Sequence, residues 1–326
     1  MTVLVTGGAG YIGSHTALAL VAQGRKTVVL DDLSRGVRKR VPAGVTFVSG
    51  DVGNFQLVAK LIQTHGITAI LHFAGFIKVE ESVEKPELYF RVNASHSRRL
   101  IECAREFGVE YFIFSSTAAV YGNPAVVPVG EDAPLSPLNP YGESKRRTEA
   151  LLRESWLTNY CILRYFNVAG ADPQGRAGYA LQNQPSHLIR KALAVALERE
   201  DNLPIFGTDY PTPDGTAVRD YVHVSDLAQA HLDALEYLEA GGESAIYNVG
   251  YGKGYSVYEV HQAAQRITGK QIPLRHQPRR AGDAAVVTAD TRKIRSELNW
   301  RPRFDSLDTM IADQYRWERS QMKVPV

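Results

Sequence analysis

Short apolar runs alternate with amphipathic stretches through the first half of the chain. TVLVT (2–6) opens the series, Tyr11 to Gln23 follows with helical character, and KTVVLD (26–31) is a second apolar run. VTFVSGD (45–51), TAILHFAG (68–75) and VEYFIFSS (109–116) repeat the strand character, separated by helical segments near 54–65 and 87–107. Strand, helix and strand at this spacing imply right-handed crossovers and a parallel sheet covered on both faces. CILRYFN (161–167) reads as another strand of that sheet. The expected class is α/β, a doubly wound parallel sheet (Rossmann fold).

After Asn167 the texture changes. Residues 170–186 and TDYPTPDG (208–215) are rich in loop formers, and helices are expected near 187–200, 225–239 and 256–268. AIYNVG (245–250) again looks like a sheet strand. This organisation predicts a first domain over 1–168 with returning segments near 217–250. A smaller, discontinuous second domain over 169–326 would bind substrate.

Composition narrows the class. In 326 residues, 44% are hydrophobic and 22% charged, ordinary for a globular protein. A formal net charge of +2 leaves no nucleic-acid footprint, so the run Arg38-Lys39-Arg40 is expected to decorate a loop. Cys103 and Cys161 sit in apolar runs and read as buried free thiols, with a disulfide unsupported. Met1 leads directly into the first strand and no apolar run approaches a membrane span. A cytoplasmic enzyme without membrane partners is expected. No pattern suggests a metal site.

The first chemical signal follows the first strand. In TGGAGYIG, Gly7, Gly10 and Gly13 are spaced three apart, and residues 8–13 also fit G-x-G-x-x-G. Missing side chains permit a tight turn and a close approach of backbone to a pyrophosphate, and the helix that opens here offers oriented N–H groups. Between a strand and a helix, this is the context the motif demands. The second strand ends in Asp31, eighteen residues after Gly13. A carboxylate there accepts hydrogen bonds from the adenosine ribose and repels the extra phosphate of NADP, which points to NAD. Asp51-Val52 ends the third strand, where an adenine contact would fall. Phe73, Ala74 and Gly75 close the fourth, where bulk would block a dinucleotide.

A second signal is Tyr141-Gly142-Glu143-Ser144-Lys145, beginning a helix after the turn Leu138-Asn139-Pro140. Positions i and i+4 share a helix face. A tyrosine acting as base near neutral pH needs its pKa of about 10 lowered by roughly 3 units, or about 4 kcal/mol. A nearby ammonium and a positive nicotinamide ring both favour the phenolate. The spacing alone also fits a surface tyrosine beside a solvated lysine. Ser115-Ser116-Thr117, ending the fifth strand, would face the same crevice, and Thr117 would hydrogen-bond a substrate hydroxyl. His72 stands within a strand, where a satisfied core residue is the simpler reading.

TGGAGYIGSH, FAG, SSTAAVYG, YGESK, LRYFNVAGA, IFGTDYPTPDGTAVRDYVHVSDLA and PRRAGD together resemble the UDP-glucose 4-epimerases (UDP-galactose 4-epimerases), a family of extended short-chain dehydrogenases/reductases. The likeness runs in order from residue 1 to about residue 305. It implies oxidation of a UDP-sugar at C4 by tightly held NAD, rotation of the 4-keto sugar, and re-reduction from its other face. By matching motifs, Tyr141 is the base, Lys145 tunes it and orients the nicotinamide ribose, and Thr117 assists. Cofactor-contacting positions implied in the same way are Tyr11, Ile12, Asp31, Asp32, Leu33, Ser34, Arg35, Gly36, Asp51, Val52, Phe73 to Ile77, Asn93, Ser115 and Phe166. The implied substrate grip comprises Asn167, His187, Leu188, Pro204, Ile205, Phe206, Arg219, Tyr221, Arg280 and Asp283. Val287 corresponds to a gatekeeper beside the hexose, small enough to admit an N-acetyl group. Arginines suit the diphosphate because planar forks donate paired, charge-assisted hydrogen bonds. A homodimer is implied through helices near 88–106 and 141–157.

The chain departs from the pattern at Ile77, a lysine in some relatives, and at His96, usually a glycine. The related 4,6-dehydratases carry an Asp-Glu pair directly after the strand-end threonine. Here Ala118-Ala119 stand there, so elimination of water is not expected. Other UDP-sugars, N-acetylhexosamines or pentoses, are weakly excluded. A catalytically silent NAD-binding regulator would be expected to lose Tyr141 or Lys145, and both are present.

Overall fold

The computed structural model describes residues 1–155, 159–179, 187–280 and 282–322. Its first half runs β1 (Thr2–Thr6), α1 (Tyr11–Ala22), β2 (Lys26–Asp31), β3 (Thr46–Ser49), α2 (Phe55–His65), β4 (Ile67–His72), α3 (Val79–Glu84), α4 (Pro86–Tyr89), α5 (His96–Glu106), β5 (Tyr111–Thr117), α6 (Pro140–Glu154) and β6 (Tyr160–Tyr165). The second half adds β7 (Asn167–Ala169), α7 (Leu188–Ala196), β8 (Leu203–Phe206), β9 (Val218–His223), α8 (Val224–Glu239), β10 (Ala245–Val249), β11 (Gly254–Ser256), α9 (Val257–Thr268), β12 (Leu274–Gln277), β13 (Val286–Val287), α10 (Arg292–Glu297) and α11 (Leu307–Met322).

Seven strands form one parallel sheet in the order β10-β6-β5-β4-β1-β2-β3. Strand alternation sends Val3, Val5, Leu71, Ile113 and Leu163 into one apolar core, shared with the α8 helix. Leu4, Val28, Leu30, Ile70, Phe112 and Ile162 enter a second core on the other face, with α2 and α5. Both faces are covered, which is why these strands read as continuous apolar runs.

The run 161–167 divides. β6 stays in the large sheet, while Asn167–Ala169 leaves it to pair with β9 in a second sheet, where β9 also pairs with β11 and β13. β8 and β12 form a separate parallel pair. The helical stretch expected over 87–107 is interrupted: Phe90–Ser95 is a π-helical turn between α4 and α5. The part of the 170–186 loop at 180–186, and residues 156–157 of the helix expected to 157, lie outside the described residues.

Two smaller expectations can be settled. Cys103 and Cys161 are buried free thiols. The basic run is not wholly solvent-facing: it forms a short 3-10 turn in which Arg40 is only 7% exposed. Among the described residues no helix is long and apolar enough to cross a membrane.

Candidate active site

The glycine loop is built to leave its upper surface bare. Gly7 is in the left-handed region (φ +67°), and a Cβ there would lie 2.6 Å from the Ala74 backbone nitrogen. A Cβ on Gly13 would lie 2.4 Å from the Gly7 carbonyl oxygen. The loop thus packs backbone to backbone against the ends of β1 and β4. Helix α1 begins behind it with Gly10 as N-cap and no side-chain cap, so its first N–H groups are left for an anion.

Asp31 is buried at the end of β2, where its carboxylate accepts from Ala9 N at 2.9 Å and Leu33 N at 2.8 Å. Burial raises its pKa, and the two backbone bonds counter that. Its remaining lone pairs suit the vicinal hydroxyls of a ribose. Asp32 accepts from Ser34 N and Oγ, shaping the turn. Arg35 pairs with Glu81 of α3 at 2.7 Å and lies over the Phe76 ring. Bare loop, open helix end and strand-end carboxylate fit a dinucleotide.

Tyr11 and Ile12 start α1. The Tyr11 hydroxyl donates to the Gly170 carbonyl, and its ring stacks on Tyr179 with centroids 3.9 Å apart. Asp51 meets His96 Nδ1 at 2.9 Å, and the His96 ring fills the space beside Gly53. That accounts for the unusual residue at 96: it packs inward. Val52 is buried in the second core. Ile77 is 47% exposed.

Strand β5 and helix α6 bring the Tyr and Lys pair together. Asn139 caps α6 by accepting from Gly142 N at 2.9 Å, and Pro140 stands in its first turn. The Tyr141 phenol stands beside the Thr117 side chain. Lys145 is buried, and its Nζ donates to the Ser115 carbonyl at 2.8 Å. The π-helical turn presents Asn93, whose side chain accepts from Phe76 N at 2.7 Å and donates to Phe76 O and Ser144 Oγ. Gly75 lies between Asn93 and Lys145: a Cβ there would be 3.0 Å from Asn93 Oδ1 and 3.5 Å from Lys145 Nζ.

The electrostatics differ from the simple expectation for the pair. Burial raises the Tyr141 phenol above its ordinary value, and the neighbouring Thr117 hydroxyl only partly counters it. Burial lowers Lys145 to about 8, against the opposing pull of Glu149. Burial thus favours the neutral phenol, and nearby positive charge, such as a nicotinamide ring brings, favours the phenolate. His72 takes no part in this chemistry. It is held between Thr6 Oγ1 at 2.7 Å and Ser97 Oγ at 2.8 Å and kept neutral, at about 3, by burial and Lys145.

Beyond the sheet lies an open cavity. Asn167, His187, Leu188, Pro204, Phe206, Arg219, Tyr221, Arg280 and Asp283 all line it. Ile205 does not: alternation along β8 turns Pro204 and Phe206 to the cavity and Ile205, fully buried, into the core. Arg280 stacks on the Phe206 ring at 3.8 Å and faces Glu80 at 3.6 Å. Arg219 approaches Asp283 at 3.7 Å. Val287 stands in register with Arg219 and packs on the cluster containing Phe166.

Sequence reasoning missed Lys191, Tyr179 and Gln314, which also line the cavity. Lys191 faces Phe206, and with Arg190, Arg219 and Arg280 it makes four cations along the cavity, a charge suited to a diphosphate. Its signal was available: it lies one helical turn after His187. Gln314 had none, because it comes from the terminal helix α11.

Comparison with known proteins is consistent along the whole chain. Residues 3–250 match the model of the NAD dependent epimerase/dehydratase family. A UDP-glucose 4-epimerase from Azospirillum brasilense is 49% identical over 98% of this chain and 92% of its own length. A crystal structure of UDP-glucose 4-epimerase from Stenotrophomonas maltophila, with bound NAD and formylated UDP-arabinopyranose, superposes with a TM-score of 0.95 at 39% identity, covering 99% of both chains. The UDP-Glc/GlcNAc 4-epimerase of Campylobacter jejuni gives a TM-score of 0.86 at 42% identity, covering 98% of this chain and 99% of that one.

Proposed function

Because the chain belongs to the NAD dependent epimerase/dehydratase family, we propose that its reaction is the interconversion of UDP-glucose and UDP-galactose. It is an NAD-dependent UDP-sugar 4-epimerase, with relatives of that activity matching nearly its full length. The observation that carries the reading is the convergence of Tyr141 and Thr117 at the end of β5, with the buried Lys145 one helical turn away on the Ser115 carbonyl and Ala118-Ala119 in place of an acid pair.

NAD, when bound, supplies the redox capacity for oxidation at C4 and for the reverse step. Its pyrophosphate suits the uncapped start of α1 and the bare surface at Gly7, Gly10 and Gly13, and its adenosine ribose suits Asp31. Tyr141 Oη takes the proton from the C4 hydroxyl and returns it after the sugar has turned. Thr117 aligns that hydroxyl and Lys145 holds positive charge near the phenolate. The cation-lined cavity grips the nucleotide, so that remote binding energy anchors a hexose left free to rotate. In this reading residues 1–168, with returning segments near 217–250, serve the cofactor and residues 169–326 serve the UDP-sugar. Pairing of α5 and α6 with a second copy would make a homodimer.

Tolerance of N-acetylated sugars is a second reading. It is supported by the small Val287 beside Phe166 and by the likeness to the Campylobacter jejuni enzyme. The deciding experiment incubates purified protein with UDP-galactose, UDP-glucose and their N-acetyl counterparts, with products resolved by NMR. Interconversion of the unmodified pair is expected. Unchanged spectra with NAD-loaded protein would overturn the epimerase reading.

A further inference from the structure

Helix α6 carries a third polar residue on the face of Tyr141 and Lys145. Glu149 lies two turns beyond the tyrosine and is fully buried, as is Arg164 of β6. Arg164 Nε and Nη2 donate to the two oxygens of the Glu149 carboxylate at 3.0 and 2.7 Å. Ser116 Oγ donates to the same carboxylate at 2.5 Å. The remaining Arg164 nitrogen donates to the Tyr121 hydroxyl and the Glu131 carbonyl, both at 2.9 Å. In the sheet Ser116 stands opposite Arg164.

The two neighbours of Ser116 are the contacts of the reactive pair. Ser115 gives its carbonyl to Lys145, and Thr117 stands beside Tyr141. One carboxylate therefore ties the helix that carries the reactive side chains to the strand that receives them. Neither Glu149 nor Arg164 lines the cavity. A buried ion pair is a weak source of stability, since desolvation offsets the attraction, and its better-attested use is to specify geometry.

Resting on the epimerase reading, we propose that Glu149 and Arg164 are positioning residues of the reaction, locking α6 against β5 so that Tyr141 stays beside Thr117 and Lys145 on the Ser115 carbonyl. Glu149 has a second effect. Its negative charge, one turn from Lys145, keeps the lysine protonated against burial.

Removing Glu149 alone strands the Arg164 charge and can unfold the chain. The test therefore uses the paired Glu149→Gln/Arg164→Met variant, which removes both charges at similar volume, and Ser116→Ala, which cuts only the tether to the strand. Two readouts are taken on NAD-loaded protein. One is kcat and KM for UDP-galactose across pH; the other is ultraviolet titration of the Tyr141 phenol, with Tyr141→Phe subtracted. In the paired variant kcat is expected to fall at least about 10-fold with KM within about twofold. The alkaline limb of its pH profile should move down as Lys145 loses its proton more easily, and Tyr141 should titrate higher. Ser116→Ala should show a smaller fall in kcat. A folded paired variant with normal kcat and a superimposable pH profile overturns the proposal. If the paired variant does not fold, unchanged kcat and Tyr141 titration in Ser116→Ala overturn it. Should the unmodified protein be inert on UDP-sugars, the epimerase reading fails separately, and the Tyr141 titration still reports on the lock.

Discussion

Gly13→Ala tests the cofactor loop through one methyl group. The new Cβ would sit 2.4 Å from the Gly7 carbonyl oxygen, 2.9 Å from Gly8 Cα and 3.0 Å from Gly7 C, all backbone. Gly7 is itself hemmed in, with the Phe73 and Ala74 backbone within 2.8 Å of its own Cβ position. Relief must come from the start of α1, whose N–H groups are the ones left for the pyrophosphate. Overpacking of this kind costs about 1–3 kcal/mol. If most of it falls on the bound state, NAD affinity drops about 5- to 150-fold, since each 1.4 kcal/mol is a factor of ten. Gly24→Ala is the matched control. Gly24, unlike Gly13, is left-handed (φ +72°), but nothing lies within 4 Å of its Cβ position. Its substitution costs roughly 1–2 kcal/mol of stability through backbone conformation alone and leaves the loop intact. The assay compares NAD released per chain on acid treatment with the unfolding midpoint, for which roughly 2 °C per kcal/mol is expected at this size. Both variants should melt a few degrees early, and only Gly13→Ala should purify depleted of NAD. Full NAD content in Gly13→Ala, or equal loss in both, would refute the backbone-contact argument.

Tyr141→Phe should lower kcat by at least about 100-fold, the usual loss for a general base, with KM little changed because the nucleotide is gripped elsewhere; near-normal turnover removes Tyr141 from the role. Asp31→Asn should relax discrimination between NAD and NADP and weaken both, because the carboxylate also holds Ala9 N and Leu33 N; unchanged cofactor preference in a binding titration contradicts that. His72 has a folded pKa of about 3, below its unfolded value of roughly 6.5, so the unfolded chain takes up a proton that the folded chain refuses. Stability is therefore lost as pH falls from about 6.5 towards 3, and a melting-temperature series should show a flatter acid limb in His72→Asn than in the parent. Val287→Tyr should abolish turnover of UDP-N-acetylglucosamine and spare UDP-galactose; a parent enzyme inert on the N-acetyl sugar defeats the gatekeeper assignment without the variant.

The sheet was legible because parallel strands buried on both faces need unbroken apolar runs, and Val3 to Val5, Val28 to Leu30 and Phe112 to Phe114 supply them. The glycine loop, Asp31 and the Tyr141–Lys145 pair were legible because their chemistry depends on local spacing. What escaped depended on direction or on distant packing. Nothing local marks where 161–167 changes sheets, since apolar character continues across Phe166. Ile205 was grouped with its neighbours although a strand turns alternate residues apart. The π-helical turn shifts helical phase in a way that a single 3.6-residue repeat drawn through 87–107 conceals. Arg40 shares the charge of its neighbours, but its side chain is covered by distant residues.

The path between the two larger sheets limits how such an enzyme can be rebuilt. The chain leaves the seven-stranded sheet after Tyr165 and comes back through α8 to β10. It departs again at β11, and β13 pairs with β9. No single cut in the gene separates one sheet from the other. A chimera exchanging the smaller sheet must match several junctions at once, one of them at Phe166 beside the reactive end of the large sheet. New sugar ranges are thus more accessible through point changes at positions such as Val287 and in the cavity loops than through recombination of whole modules.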